Sequence, residues 1–251
     1  MATPNAERAV NNAFYDELDE RWYAAYDDPI ALLRAESAHR TPWIVDRIRE
    51  TFGRRVVRVL DVGCGAGFLS NALAKLGYEV TGVDASEASL SVAARHDPTG
   101  SVRYAVGDAY ALDCQDGVFD VVCSMDFLEH VERPSAVIEE AARVLVPGGL
   151  FFFHTFNRNV LSWLVVIKGV EWFVRNTPRD MHVLRLFLKP DEVRAMCAAS
   201  GLRMEELHGF APVLGLRALW TIFRTGTVPE DFAFRFTGST RIAYTGMARK
   251  A

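Results

Sequence analysis

Val59-Leu60-Asp61-Val62-Gly63-Cys64-Gly65-Ala66-Gly67 carries an apolar strand into a glycine-rich turn, and Phe68 to Leu76 continues with apolar residues at helical spacing until Gly77. A strand, a tight turn and a helix in that order open a βαβ unit. Gly63 and Gly65 have no Cβ, so the backbone there is expected to press against a ligand; Gly67 is expected to open the helix close to the sheet. A GxGxG turn also serves as a plain β-to-α connection, and only other residues can separate the two uses. Asp84 supplies one. It follows a second strand, Glu79 to Val83, roughly 20 residues past the glycines, where an acid receives the ribose hydroxyls in nucleotide-binding sheets. An acid at a helix start is also stabilised by the backbone dipole, but its spacing from the glycines favours the ribose. Glycines and Asp84 together would equally suit a dinucleotide.

The alternation continues along the chain. Ser86 reads as the N-cap of a helix through Arg95, and Val102 to Val106 as a third strand. Phe119 to Ser124, an unbroken apolar run, reads as a fourth strand buried on both faces. Pro134 introduces a helix over Ser135 to Leu145, which Pro147, Gly148 and Gly149 end before the strand Leu150 to Thr155. This pattern predicts an α/β fold with a mostly parallel sheet and helices on both faces. Asn11 to Glu50 reads as helical, with Phe14, Leu18, Trp22, Trp43, Ile44 and Ile48 forming apolar faces. After Thr155 the rhythm breaks into an aromatic, partly basic segment, followed by a helix over Pro190 to Ser200 and a β-rich tail. We therefore expect one domain over residues 1–251: a helical cap (1–50), a ligand-binding core (55–155), an acceptor-covering insertion (156–188) and a C-terminal helix with strands (189–251). Specificity is expected in the insertion, because additions to a rigid sheet usually carry it.

Met125-Asp126-Phe127-Leu128-Glu129-His130 follows the fourth strand, at the carboxyl edge where open α/β sheets bind ligands. Asp126, Glu129 and His130 offer ligand atoms for a hard divalent ion such as Mg²⁺, which takes oxygen donors and keeps several waters. His130 can alternatively act as a general base, with Glu129 beside it. In the plainest alternative, Asp126 caps a helix whose first turn holds Glu129. Cys64, between turn glycines, reads as a small turn residue and not as a nucleophile.

Five phrases in order then narrow the ligand: the glycine turn, Asp84, Gly107-Asp108-Ala109, Phe119 to Val122 with Leu128 to Val131, and Val144 to Gly149. Together they resemble the Rossmann-like class I methyltransferases, whose sheet has seven strands and whose donor is S-adenosylmethionine. The resemblance implies donor contacts from Asp61, Gly63, Gly65, Gly67, Asp84, Ala85, Asp108 and Ala109, with Asp108 on the adenine amine. A nicotinamide dehydrogenase is disfavoured, because Asp108 and Leu128 to Val131 have no task in that scheme. A sulfonium methyl is already activated, so alignment and a deprotonated acceptor are what such an enzyme must supply.

Phe156-Asn157-Arg158-Asn159, Ser162-Trp163-Leu164, Gly169-Val170-Glu171, Pro178, His182 and Leu188 to Glu192 are more selective. With Phe14, Arg21-Trp22 and Pro29 to Ile44 they resemble the 3-demethylubiquinol 3-O-methyltransferase family of ubiquinone biosynthesis. That resemblance spans most of residues 14–200. It implies donor contacts from Arg40 and Met125, magnesium on Asp126, Glu129 and His130, and acceptor contacts from Asn157 and His182. The family often has Glu at the position of Asp126; Arg179-Asp180-Met181 and Val183 also depart from its pattern, and the tail beyond Gly209 matches poorly. The implied reaction is methylation of a phenolic or catechol oxygen on a quinol, prenylated in the family. Two other readings stand beside it: a small-molecule methyltransferase outside quinone pathways, and a donor-binding protein with no catalysis.

Bulk composition sets the outer limits. The 251 residues are 50% apolar, enough to bury a substantial core, and the formal charge of −4 argues against nucleic-acid binding. Cys64, Cys114, Cys123 and Cys197 show neither a zinc spacing nor a disulfide framework. Met1 to Arg8 does not read as a signal peptide, and Val160 to Val174, interrupted by Lys168 and Glu171, is too short to span a bilayer. The expectation is a cytoplasmic protein that touches the inner membrane peripherally through residues 157–188. The sequence sets no oligomeric state.

Overall fold

Strand β1 (Arg58–Val62) lies inside the parallel part of the sheet: its buried residues are apolar except Asp61, and it pairs in parallel with strands on both sides. The computed structural model describes residues 10–251; Met1 to Arg8, read above for a signal peptide, lie outside the described residues. Beside β1 run β2 (Glu79–Asp84), β3 (Arg103–Val106), β4 (Phe119–Met125) and β5 (Leu145–Phe156), all parallel. Three antiparallel strands follow: β6 (Leu202–Pro212), β7 (Phe234–Thr237) and β8 (Ala243–Lys250). The order across the eight-stranded sheet is β3-β2-β1-β4-β5-β8-β6-β7. The expected seven strands are thus joined by β7, which extends the sheet by pairing with the far edge of β6.

Period-two alternation sends successive side chains to opposite faces. Leu60, Val62, Val122, Phe151 and Phe153 meet Val137, Ile138 and Ala141 of α5 (Pro134–Val144) and Val193 and Cys197 of α8 (Pro190–Ala199). Val59, Val121, Cys123 and Phe152 meet Ile44, Val45 and Ile48 of α2 (Ile30–Phe52) and Leu69 and Leu73 of α3 (Phe68–Lys75). Each fully buried aliphatic or Phe side chain contributes about 1.5–3 kcal/mol, so an unbroken run such as Phe151-Phe152-Phe153 fixes β5 firmly on both sides. Between β2 and β3, α4 (Glu87–Arg95) starts as expected at Ser86, whose hydroxyl accepts from Ser89 N at 3.1 Å.

The cap comprises a 3₁₀ turn (Asn12–Glu17), α1 (Arg21–Ala24) and α2, with Leu18 and Trp22 packed over Ala66 of the glycine turn. The insertion is helical: α6 (Val160–Ser162) leads through a π-helical stretch, Trp163–Gly169, into α7 (Val170–Phe173). In the tail, read from sequence as β-rich, β6 and β7 are separated by a helix, α9 (Leu216–Thr225). Leu216, Leu219, Trp220 and Phe223 recur at helical spacing between Gly215 and Gly226, and none of α9's residues is buried.

Candidate active site

The glycine turn is built as much by packing as by any ligand. Gly63 (φ +72°) sits where a Cβ would run into the ring of Phe127, and Gly65 (φ +51°) faces Trp22. Gly67 (φ +78°) caps α3 in the left-handed conformation, where a Cβ would collide with the Tyr104 hydroxyl and Ala93. Asp84 ties the turn to the next helix: its carboxylate accepts from Gly65 N at 2.8 Å and from Ser86 N at 2.9 Å. Burial raises its pKa and these amides oppose the rise. Asp84 thus satisfies a helix start while also lining a cavity. Asp61, beneath the turn, accepts from Ser70 Oγ at 2.6 Å, and burial pushes it up to about 6. Asp108 folds its own loop by accepting from Tyr110 N at 2.8 Å.

The acid and histidine cluster divides in a way the sequence does not announce. Asp126, directly after β4, has φ +55°, which is uncommon outside glycine. Its backbone N donates to His154 O at 3.2 Å, and its carboxylate accepts two bonds from Arg40, one from Nη1 at 2.8 Å. Arg40 is 2% exposed and lies 3.9 Å from Glu36; His154 Nε2 is 3.7 Å from Asp126. Glu36, Asp126 and His154 thus gather round a guanidinium that already serves as their cation. Asp126 does not cap the following 3₁₀ turn (Leu128–His130), which has no side-chain cap, so the capping alternative fails because the carboxylate is committed to Arg40. Arg40 also lines the cavity, and its Nε has no hydrogen-bond partner.

A second group lies on the other side. Ligand atoms of Glu129, His130 and His182 lie within 4.8 Å of one another. Glu129 is fully buried, and neither of its oxygens has a hydrogen-bond partner. Burial, then the Asp126 charge, pushes Glu129 above the usual carboxylate range. Burial lowers His130 to about 4, and burial with His130 alongside holds His182 well below the ordinary histidine value, so both rings are neutral near pH 7. The Asp126–Glu129–His130 trio expected for magnesium is therefore split between the groups. What remains at Glu129 is one carboxylate and two imidazoles, which is not the oxygen-rich set Mg²⁺ prefers.

Both groups and the glycine turn border one cavity of about 1510 Å³. Arg40, Asp61, Gly63, Gly65, Asp84, Ala85, Asp108, Ala109, Met125, Asp126, His130 and His182 line it. Gly67, Glu129 and Asn157 do not. Glu129 stands behind the wall, and Asn157 instead clamps the loop before β8, donating from Nδ2 to Thr240 O at 2.8 Å. Opposite the glycine turn the wall is apolar, with Phe156, Leu164, Phe173, Phe210, Trp220 and Phe234 among its residues. Sequence reasoning missed Glu36 and His154. The four-residue spacing of Glu36 and Arg40, which places both on one helix face, was a signal for the first; His154, inside the apolar run of β5, gave none.

A family described as a methyltransferase domain matches residues 60–153. Among solved structures, a magnesium protoporphyrin IX methyltransferase from Synechocystis with bound SAH superposes at TM-score 0.59 and 18% identity, over 86% of this chain and 84% of that one. A possible histamine N-methyltransferase from Thermotoga maritima gives 0.61 and 16%, over 95% and 99%. At those identities the likeness concerns the fold. Two ubiquinone biosynthesis O-methyltransferases are nearer in sequence. That of Thiobacillus denitrificans is 39% identical over 80% of this chain and 86% of its own length, and that of Bordetella avium 37% identical over 83% and 89%. With relatives this similar along nearly their whole length, and the methyltransferase core in place, the chain belongs to the ubiquinone biosynthesis O-methyltransferase family.

Proposed function

We propose that the chain transfers the methyl group of S-adenosylmethionine to a phenolic oxygen of a prenylated quinol precursor of ubiquinone. The observation that carries this reading is the single cavity joining the Gly63–Asp84–Asp108 edge to neutral histidines and an apolar wall. The bound donor supplies an electrophilic methyl on a positively charged sulfur. Asp84 accepts from the ribose hydroxyls while its amide bonds keep it aimed, and Asp108 takes the adenine amine. His130, uncharged because burial depresses its pKa, accepts the phenolic proton, with His182 beside it at a ring separation of 5.2 Å. As that proton leaves, the oxygen bonds to the methyl carbon, and the carbon–sulfur pair returns to sulfur, giving the neutral thioether. Phe156, Phe210 and Phe234 exclude water from the acceptor and align it. With Asp126 paired to Arg40, no step here is assigned to magnesium.

Incubation with methyl-labelled donor and a catechol-type prenyl quinol, followed by mass spectrometry, should place the label on the ring oxygen. Absence of transfer, with and without added divalent ion, would overturn the reading. Equal labelling of unrelated phenols, amines and quinols would instead favour a methyltransferase outside quinone pathways.

Peripheral contact with a membrane belongs to the same reading. Among the described residues no helix is long and apolar enough to cross a bilayer. Residues 157–188 nevertheless turn Val160, Leu161, Leu164 and Trp172 outward, and Phe173 meets Phe223 of α9 at a ring separation of 6.0 Å. An apolar acceptor could then pass from lipid to the cavity beside these residues.

A further inference from the structure

We propose that Glu36 selects the acceptor by hydrogen bonding to a ring oxygen other than the one that is methylated. This deepens the reading above and rests on it for the nature of the acceptor.

Leu32, Glu36, Arg40 and Ile44 recur every four residues along α2, on the face that lines the cavity. One turn before Glu36, Leu32 packs against the cluster that holds Phe156, Phe210 and Phe234. One turn after it, the Arg40 guanidinium lies over the Phe210 ring at 5.6 Å. Glu36 therefore stands where the apolar acceptor wall meets the charged group, away from the Asp84 and Asp108 edge.

The residue is 7% exposed, and its polar contact is a long approach to Arg40 at 3.9 Å. Among the described residues nothing hydrogen-bonds its carboxyl group, because both terminal nitrogens of Arg40 are given to Asp126. A buried polar group in that state is costly, and a ligand atom that pairs with it relieves the cost. Burial, then the Asp126 charge, raises the pKa of Glu36 against the pull of Arg40. That favours the carboxylic acid, which donates its hydrogen to a lone pair and so suits a ring hydroxyl or ether oxygen. His154, on the far side of Asp126, adds no charge, since burial keeps its ring neutral. An acceptor with one oxygen at His130 and a second at Glu36 is held at two points in the cavity that both residues line. An analogue without the second oxygen leaves the acid unpaired, and a site of this kind discriminates against it.

Calorimetric titration of the full chain, loaded with S-adenosylhomocysteine at pH 7, tests the assignment. The titrants are a short-chain prenyl phenol and its ortho-, meta- and para-hydroxylated derivatives. One hydroxylated derivative should bind at least ~10-fold more tightly than the phenol, the scale of one buried hydrogen bond left unmade. Glu36→Leu should bring that derivative to within ~3-fold of the phenol, whereas Glu36→Gln, which keeps a donor and the shape, should retain most of the preference. Far-UV circular dichroism verifies that each variant is folded. Difference infrared spectra supply a readout that does not depend on the leucine variant: the wild type should show a protonated-carboxyl C=O band that shifts with the preferred derivative and not with the phenol, and E36Q should lack it. The assignment is overturned by a wild type that binds none of the phenols or prefers no hydroxylated one, by a preference that survives in E36L, or by a band that persists in E36Q. Weaker S-adenosylhomocysteine binding in E36L with the acceptor preference intact places Glu36 on the donor and also overturns it. The labelled-donor assay separates the two claims. A chain that shows the preference but transfers no methyl keeps Glu36 as the selecting residue and loses the methyltransferase reading; transfer without the preference does the reverse.

Discussion

At His130 a neutral imidazole sits where an ordinary histidine would be half protonated near pH 6.5. Burial disfavours the charged form and holds the folded-state pKa at about 4. The sign follows directly: protonation, which abolishes the base, begins only well below neutrality. The acid limb of kcat/KM should therefore fall nearer pH 4 than 6.5, measured with saturating donor and a quinol of fixed ionisation. A limb at 6.5 that disappears in His130→Gln would mean that the ring titrates freely and the burial argument is wrong. Glu129 and His130 were legible from sequence because Leu128-Glu129-His130 follows a strand end. His182 was legible only through family resemblance, since nothing local in Met181-His182-Val183 marks a site. Its partnership with Glu129 depends on the insertion folding back over the sheet, a long-range placement that periodicity does not encode.

Among the elements, the parallel strands and their helices followed from pattern, because each must bury apolar residues on both faces and leaves few other registers. The glycines were read correctly in position and incompletely in cause: Phe127 and Tyr104 need the space that a ligand was expected to need. Helix α9 was missed as a helix although its four-residue periodicity was present, because it is short and interrupts a strand-rich tail. It forms without burying a single residue. Leu216 is 88% exposed, Trp220 62% and Phe223 77%, with Arg217 and Arg224 alongside. Such a face, basic at its margins, fits an anionic bilayer surface. The paired substitution Trp220→Glu with Phe223→Glu should reduce co-sedimentation with anionic vesicles about fivefold or more, since each apolar anchor is worth ~1.5–3 kcal/mol when buried. Its melting temperature should stay within ~2 °C, as expected for exposed sites. Unchanged sedimentation would leave α9 a structural strut.

For the whole molecule, donor binding should be felt as stability, because the cavity walls come from the cap, the core, the insertion and the tail at once. A ligand that binds only the folded chain adds RT ln(1 + [L]/Kd), about 2.7 kcal/mol at a hundredfold excess over Kd. For a chain of this size that corresponds to a rise in melting temperature of roughly 5–11 °C with S-adenosylhomocysteine. A scan showing no rise under conditions where calorimetry detects binding would mean that the elements do not close on the ligand together.

The change of strand direction at β5 has a consequence for inheritance. Everything proposed to grip the nucleotide hangs from β1, β2, β3 and the start of α4, whereas Phe210, Phe234, Trp220 and the walls from the insertion belong to the antiparallel side and its attachments. The two halves of the chamber are separate modules on a common floor. Transplanting residues 157–188 and 210–243 together from another relative would exchange the taste for one acceptor while leaving the nucleotide grip native.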